Sequence, residues 1–232
     1  MYYRFDEGKG ETVEDLGDYN NSGDVFGEWN PLEDEPMELE DKWGKKCPPQ
    51  FSISGYVIRD KKLTCRNFDS FTIETWFKFT KDTFSLFNFG ESFHLTFTMN
   101  HFMLNKKPLP YSGEIQPVPN IWNHITVLYN HHDGKSLKIL INTQLSISVP
   151  FPIEATKNPP IIGDSESMIE FTEFKYWKRL LDVDEIKDTL RSPLELVHEK
   201  RKKLKMKIKK KKKEESNQEV DSSAANFFSF DL

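Results

Sequence analysis

Hydrophobic and polar residues alternate along most of the chain between Phe51 and Trp177. The stretches "FTIETWFKF" (71–79) and "FHLTFTM" (93–99) each place every second side chain on one apolar face. The same alternation recurs in "ITVLY", "LKILIN" and "LSISVPF". Because successive side chains of a strand point to opposite faces, this pattern predicts strands with one buried and one exposed face. Such strands pack as two antiparallel sheets, so we expect an all-β sandwich.

Turn-forming residues separate these strands. The segment "NHHDGKS" (130–136) carries Asp-Gly at its centre, which predicts a hairpin between the strands on either side. Pro150 lies within a strand pattern, where it indicates an edge strand or a bulge. Residues 27–46 are acidic and lack periodicity, and we interpret them as a surface insertion.

The pattern changes after Trp177. Asp182 is a good N-cap and Glu185 stands three residues later, so a capping box predicts a short helix from Val183 to about Leu190. Pro193 ends it, and we place the boundary of the sandwich domain, residues 1–192, at this point. The domain is followed by a Lys/Arg-rich extension, residues 193–213, whose spacing fits a helix and a strand equally well, and by a polar tail, residues 214–232, that we expect to be disordered in isolation.

The start of the chain carries no apolar targeting segment. Its first twenty residues are rich in charge, and no run of 18 apolar residues occurs anywhere in the sequence, so neither a secretory signal nor a transmembrane helix is expected. We therefore expect an intracellular protein, cytoplasmic or cytoskeletal, with the nucleus as an alternative. In such a reducing compartment Cys47 and Cys65 are expected to be free thiols, although two cysteines could also pair.

Four segments in order carry a family resemblance. They are "YYRFDEGKGETVEDLGDYNNSG", "FTIETWFKF", "IWNHITVLYNHHDGKSLKILINTQL" and "IEFTEFKYWKRLLDVDEI", which together span about residues 2–190. In this order they resemble the laminin-G-like jelly-roll domains of the concanavalin A-like lectin and glucanase superfamily. The resemblance implies a two-sheet antiparallel jelly roll. One departure is Asn142-Thr143, where the family usually has Asn-Gly.

The superfamily includes glycoside hydrolases, which place two carboxylates on either side of the scissile bond. The nearest candidates are Glu166, Glu170 and Glu173, but the dense Glu-x-Asp spacing of those hydrolases is missing. Glu166 and Glu170 would share one face of a strand, and Glu173 would point the other way. We interpret these residues as solvent-facing acids on an outer strand, and we do not expect an enzyme.

An oxygen-rich turn near the start is a candidate calcium site. Asp15, Asp18 and Asn20 crowd this turn, and calcium takes six to eight oxygen ligands. The alternative is that Asp and Asn simply form turns. No other cofactor is expected.

The extension and the tail carry two further candidate contact regions. Eleven Lys or Arg residues lie within residues 200–213. This run is typical of a nuclear-localisation signal or of a surface that binds nucleic acid, anionic lipid or acidic protein. The alternative is a solvated linker. The basic patch comprises Lys200, Arg201, Lys202, Lys203, Lys209, Lys210 and Lys211. The apolar end of the tail predicts either docking into a partner's groove or an intramolecular strap, and its residues are Phe227, Phe228, Phe230, Asp231 and Leu232.

Two binding functions remain open at this level. The first hypothesis is a non-enzymatic intracellular scaffold module, part of a larger assembly, that docks a protein partner through the sandwich and the tail. The alternative is a carbohydrate-binding, lectin-like domain, calcium-assisted if the ion is present, with Trp29, Trp43 and Trp122 as candidate sugar platforms. A hydrolase is the third hypothesis.

Overall fold

A computed structural model describes most of the sandwich. The described residues are 1–5, 7–17, 22–32, 51–59, 70–98, 100–110, 115–153, 161–164 and 169–191. Their strands are β1 (Tyr2–Tyr3), β2 (Thr12–Val13), β3 (Gly23–Pro31), β4 (Phe51–Arg59), β5 (Phe71–Phe79), β6 (Thr83–Asn88), β7 (His94–Thr98), β8 (His101–Leu104), β9 (Lys107–Pro108), β10 (Asn123–Asn130), β11 (Ser136–Ile141), β12 (Gln144–Pro150), β13 (Ile161–Gly163) and β14 (Ile169–Trp177). One helix, α1 (Val183–Arg191), follows them. Within these residues no helix is long and apolar enough to cross a membrane.

All strand pairs among the described residues are antiparallel, and they form one hydrogen-bonded sheet that curls into two layers. The first layer has the order β12-β11-β10-β5-β14, with β1 also on β14. The second layer has the order β3-β4-β13-β6-β7-β8-β9, with β2 on β3. Strand β4 pairs with both β14 and β13 and so joins the layers. The predicted all-β sandwich is confirmed.

Aromatic rings fill the space between the layers. Phe79 of the first layer lies 4.7 Å from Phe84 of the second, and Phe87 lies 5.9 Å from Phe174, measured between ring centroids. Each such pair contributes about 0.5–1.5 kcal/mol beyond the burial of its area. The large number of phenylalanines is therefore explained by this shared core.

The first layer differs from the prediction of one polar, exposed face per strand. Glu74 and Trp76 on β5 and His124 on β10 point away from the core, yet they are all buried. Helix α1 covers part of this outer face, because Ile186 packs beside Leu140 and Thr189 contacts Glu74. Periodicity alone gives no information about such a cover, since the helix comes from a distant part of the chain.

Helix α1 begins as predicted. The Asp182 carboxylate accepts a hydrogen bond from the Glu185 N–H (2.8 Å), and the Glu185 carboxylate accepts one from the Asp182 N–H (3.1 Å). This reciprocal pair is a capping box. The side chain of Arg179 also forms an ion pair with Glu185 at 2.8 Å.

Two hairpin turns connect β10, β11 and β12. The predicted hairpin around residues 130–136 is confirmed, because Asn130 pairs with Ser136 across it. Asn142 and Thr143 form the next turn, with φ of 49° and 68°, so the tight turn forms without glycine. Strand β12, which carries Pro150, lies at the edge of the sheet as predicted.

The predicted insertion begins too early in the sequence. Residues 27–31 belong to β3 and pair with β4, from Gly27 opposite Gly55 to Pro31 opposite Phe51. A Cβ on Gly27 would overlap the Ser54 carbonyl oxygen, so glycine is required for this close approach. Residues 33–46 of the predicted insertion, both cysteines, the basic extension and the tail lie outside the described residues.

Candidate functional site

A groove of about 760 Å³ opens on the outer face of the second layer. It crosses strands β4, β13, β6 and β7, which are neighbours in the sheet. Its described lining residues are Tyr56, Ile58, Thr83, Phe84, Ser85, Asn88, His94, Thr96, Thr98, Ile161, Gly163 and Asp164. A mixed polar and apolar concave surface of this size is typical of small-ligand sites.

The alternation of β6 and β7 produces the polar floor of the groove. Phe84 pairs with Phe97 and both point into the core, whereas Ser85 pairs with Thr96 and both point into the groove. The register shifts between Ser85 and Phe87, which is a β-bulge. A bulge interrupts the ladder and redirects nearby groups, and here it leaves the Ser85 amide to an acceptor outside the ladder.

A cluster of hydrogen-bonding groups lies at this bulge. The Ser85 hydroxyl and His94 Nε2 are 3.0 Å apart. The Asp164 carboxylate accepts the Ser85 backbone N–H at 2.7 Å. The His94 backbone N–H donates in turn to the Asn105 side-chain oxygen at 2.8 Å. Three segments distant in sequence thus converge on one polar site.

Gly163 sets the position of Asp164. Its φ of 79° lies in the left-handed region, and an added Cβ would overlap the Gly55 carbonyl oxygen and approach the Phe171 ring to 2.7 Å. Only glycine adopts this conformation without strain. The tight end of β13 therefore directs the following carboxylate towards β6.

The electrostatics of the groove come from His94 and Asp164. Burial lowers the pKa of His94, the Asp164 carboxylate opposes that shift, and Lys106 adds to it. The imidazole is therefore neutral at neutral pH and can both donate and accept a hydrogen bond. Asp164 is the only carboxylate among the described residues that line the groove.

Aromatic rings lie at the β4 side of the groove. Tyr56 stacks on Phe26 of β3 with ring centroids 5.0 Å apart and ring planes 9° apart. Phe26 is 46% exposed and is the one exposed phenylalanine among the residues whose burial the structure describes. Tyr56 is half-buried and lines the groove, so its ring offers an apolar surface to a ligand that also contacts the polar cluster.

The predicted calcium turn is only partly described. One carboxylate oxygen of Asp15, which is buried, accepts the backbone N–H groups of Tyr2 (2.7 Å) and Gly17 (2.8 Å). Asp18 and Asn20 lie outside the described residues. Within the described residues, no group of three or more His, Cys, Asp or Glu side chains is placed to hold a metal ion. Calcium binding through this turn stays a prediction.

The two described tryptophans among the proposed sugar platforms, Trp29 and Trp122, do not line the groove. Trp29 packs against the core and donates from Nε1 to the Gly10 carbonyl (2.9 Å), and Trp122 is buried. Trp43 is outside the described residues, as are the basic patch from Lys200 to Lys211 and the tail residues from Phe227 to Leu232. The predicted contacts of these regions stay predictions.

The interpretation of the β14 acids as exposed is wrong for Glu173. A bulge between Thr172 and Lys175 places Glu173 at a φ of 52° and buries its carboxylate. Its two oxygens accept hydrogen bonds from the Tyr2 hydroxyl (3.2 Å) and from Lys175 Nζ (3.3 Å). Glu170 is half-buried and accepts the Ser52 hydroxyl (2.9 Å). Glu166 is outside the described residues.

A second polar cluster lies beneath α1. Glu74 accepts hydrogen bonds from Trp177 Nε1 (2.9 Å) and the Thr189 hydroxyl (3.1 Å), and His124 Nε2 is 3.8 Å from it. Burial raises the pKa of Glu74, against the attraction of Lys175, and burial together with Lys175 lowers the pKa of His124 well below its usual value. This cluster is enclosed, so it supports the helix and offers no surface to a ligand.

Sequence reasoning missed the groove. The alternation in "FHLTFTM" marks His94, Thr96 and Thr98 as an outward polar row, which is the one signal that could have indicated it. Asp164 and Tyr56 give no such signal, because only the pairing of β13 with β4 and β6 brings them to this row.

Comparison with protein-family models and with curated proteins finds no match. Among solved structures the chain is similar to the botulinum neurotoxin serotype D binding domain, with a TM-score of 0.56 and 16% identity over 82% of this chain and 50% of that one. It is also similar to the serotype D ligand binding domain in complex with N-acetylneuraminic acid (TM-score 0.52, 15% identity, 82% and 50% covered). A third neighbour is the binding domain of Paraclostridial Mosquitocidal Protein 1 (TM-score 0.53, 15% identity, 82% and 51% covered).

These neighbours are binding domains by their descriptions, and the chain spans about half of their length. At such low sequence identity the similarity establishes the fold alone. The chain has the β-sandwich fold that such binding domains use.

Proposed function

We propose that the protein is a non-catalytic, carbohydrate-binding module of the laminin-G-like, lectin-like type, and that the sugar lies in the groove of the second layer. The observation that carries this proposal is that Tyr56, a half-buried ring stacked on the exposed Phe26, lines the same groove as the Ser85, His94 and Asp164 cluster. A sugar ring has apolar C–H faces and a rim of hydroxyls, so it needs both an aromatic surface and hydrogen-bonding groups. The groove supplies both at one place.

Two further observations support a binding role. Glycoside hydrolysis takes a pair of carboxyl groups, and the described groove lining has one, Asp164. One structural neighbour is a ligand binding domain in complex with N-acetylneuraminic acid, and this chain spans about half of that domain, which makes sugars the first class of ligand to test.

A glycan array followed by titration calorimetry tests the proposal. Tyr56→Ala removes the ring of the stack that lines the groove, and we expect about a tenfold or greater loss of affinity for any sugar that the wild type binds. Leu145→Ala is the control, because Leu145 is as exposed as Phe26 (46%) and lies outside the groove. Equal affinities for wild type and Tyr56→Ala, or an array without binding, would overturn the proposal.

We also propose the function that was the first hypothesis from the sequence, an intracellular scaffold that docks a protein partner. The apolar end of the tail, Phe227 to Leu232, supports this role, and the basic run supplies contacts with an anionic surface or a nuclear address. The compact unit ends at Arg191, so a chain truncated after Ser192 keeps the sandwich complete. If the full chain and the truncated chain capture the same proteins with the same strength, the tail has no such role.

A further inference from the structure

Resting on the proposed function, we infer that the groove binds an uncharged oligosaccharide laid across the strands, and that Asp164 selects it over a sugar that carries a carboxylate. The proposal concerns the class of ligand, and three features of the groove support it.

The first feature is the length of the groove. Its lining residues extend from Tyr56 on β4 through β13 and β6 to Thr96 and Thr98 on β7. Neighbouring strands are about 4.8 Å apart, so these four strands span about 14 Å. That distance exceeds a single pyranose ring, and a ligand that reaches from the Tyr56 ring to the Thr96 hydroxyl must contain more than one sugar unit.

The second feature is the charge of the wall. The Asp164 carboxylate is fixed in the groove because its Oδ2 accepts the Ser85 N–H and because Gly163 directs it there. A carboxylate accepts hydrogen bonds well from sugar hydroxyls, which are donors. A second carboxylate brought to the same wall by the ligand would be repelled, because both groups carry a negative charge.

The third feature is the neutrality of the histidine. His94 lies in contact with the Ser85 hydroxyl. Burial lowers its pKa, Asp164 opposes that shift and Lys106 adds to it, so at neutral pH the imidazole does not provide a cation for an acidic ligand. The His94 imidazole and the Ser85 hydroxyl instead form a donor and acceptor pair, which matches neighbouring hydroxyls on an uncharged sugar.

Matched pairs of glycans test this inference. Lactose and 3′-sialyllactose differ only by one carboxylated sugar, and a glycan array contains many pairs of this kind. We expect the neutral member of each pair that binds to have at least about tenfold higher affinity at low ionic strength, and tetrasaccharides to bind more tightly than monosaccharides. Raising the salt concentration should improve the binding of the sialylated member relative to the neutral one.

Asp164→Asn removes the charge and keeps an oxygen that can accept the Ser85 N–H. We expect this variant to lose about tenfold of its discrimination against the sialylated member, while Asp133→Asn, on the exposed hairpin loop, leaves the discrimination unchanged. If Asp164→Asn does not fold, the salt dependence of sialylated-glycan binding by the wild type still shows whether the groove repels a carboxylate. Equal or tighter binding of sialylated glycans overturns the inference and leaves the proposed function intact, whereas no binding of any glycan overturns both.

Discussion

The Thr189 hydroxyl oxygen lies 3.1 Å from Glu74 Oε1, so the last turn of α1 is hydrogen-bonded to a carboxylate buried in the middle of the first layer. Lys175 Nζ donates to the Thr189 carbonyl at 3.1 Å and holds the same turn from a neighbouring strand. At the other end, the Leu181 N–H donates to the Thr72 hydroxyl at 3.0 Å. The helix is therefore attached to the sheet by polar contacts at both ends, with Ile186 buried between them.

Replacing Glu74 should destabilise the protein by removing the shared acceptor of this cluster. In Glu74→Ala the Trp177 N–H and the Thr189 hydroxyl lose their acceptor, and Lys175 loses a nearby negative charge. We expect the free energy of unfolding to fall by about 2–4 kcal/mol, measured by urea denaturation followed by circular dichroism.

Glu74→Gln keeps one acceptor oxygen and should recover part of the loss. Asp184→Ala is the control, because Asp184 is exposed and forms only a surface ion pair with Lys187. A Glu74→Ala protein as stable as the wild type would show that the cluster does not anchor the helix.

His124 should make the fold sensitive to acid. Burial and the positive charge of Lys175 lower its pKa in the folded protein, whereas in the unfolded chain it has its ordinary pKa of about 6.5. Below pH 6.5 the unfolded state therefore binds a proton that the folded state does not, and stability falls as the pH drops from 6.5 towards the lowered value. Because a glutamine side chain does not take up this proton, His124→Gln should lose less stability than the wild type as the pH falls below 6.5.

The measurement is the midpoint of urea unfolding at intervals between pH 7.5 and 5. The slope of this midpoint against pH is compared between wild type and variant, because the substitution itself can change stability. Glu74 works in the opposite direction, since burial raises its pKa, so the folded state takes up its proton first and gains stability as the pH falls. The comparison is therefore made in the Glu74→Gln background as well. Parallel slopes for wild type and His124→Gln would contradict the prediction.

Local sequence signals predicted the local structure of this protein. The alternation gave the strands of the sandwich, the Asp182 and Glu185 spacing gave the start of α1, and Asp-Gly gave the hairpin after β10. Each of these depends on residues close together in the chain, where periodicity and capping act directly.

The groove and the buried polar face could not be predicted in the same way. The groove needs Gly163 and Asp164 beside Ser85, and only the pairing of β13 with β4 and β6 brings them there. The outer face of β5 carries three polar residues and Trp76, and its polar residues are typical of an exposed face, yet Glu74 is buried and hydrogen-bonded to Thr189 of α1. The bulges at Ser85 and Glu173 change the direction of side chains within strands, and strict alternation does not predict them.

Thr143→Gly should stabilise the turn between β11 and β12. Thr143 has a φ of 68°, which a β-branched residue adopts at a cost of about 1–2 kcal/mol, whereas glycine adopts it freely but loses about 0.5–1 kcal/mol more in chain entropy. We expect a net gain of about 0.5–1 kcal/mol in the free energy of unfolding. Thr143→Ala, which keeps the unfavourable φ for a residue with a Cβ, should gain less. A loss of stability on substitution with glycine would contradict this account of the turn.

Gly163→Ala should damage both stability and the groove. The substitution combines a φ of 79° with overlap between the new Cβ and the Gly55 carbonyl oxygen, so we expect a loss of more than about 2 kcal/mol in the free energy of unfolding. Gly134→Ala is a matched control, because Gly134 has a φ of 62° but open space around its Cβ position, and it should lose only about 1 kcal/mol. Since Gly163 directs Asp164 towards Ser85, Gly163→Ala should also weaken sugar binding at temperatures where the variant is fully folded, while Gly134→Ala should not. Equal effects of the two substitutions on stability and binding would show that β13 does not position the carboxylate.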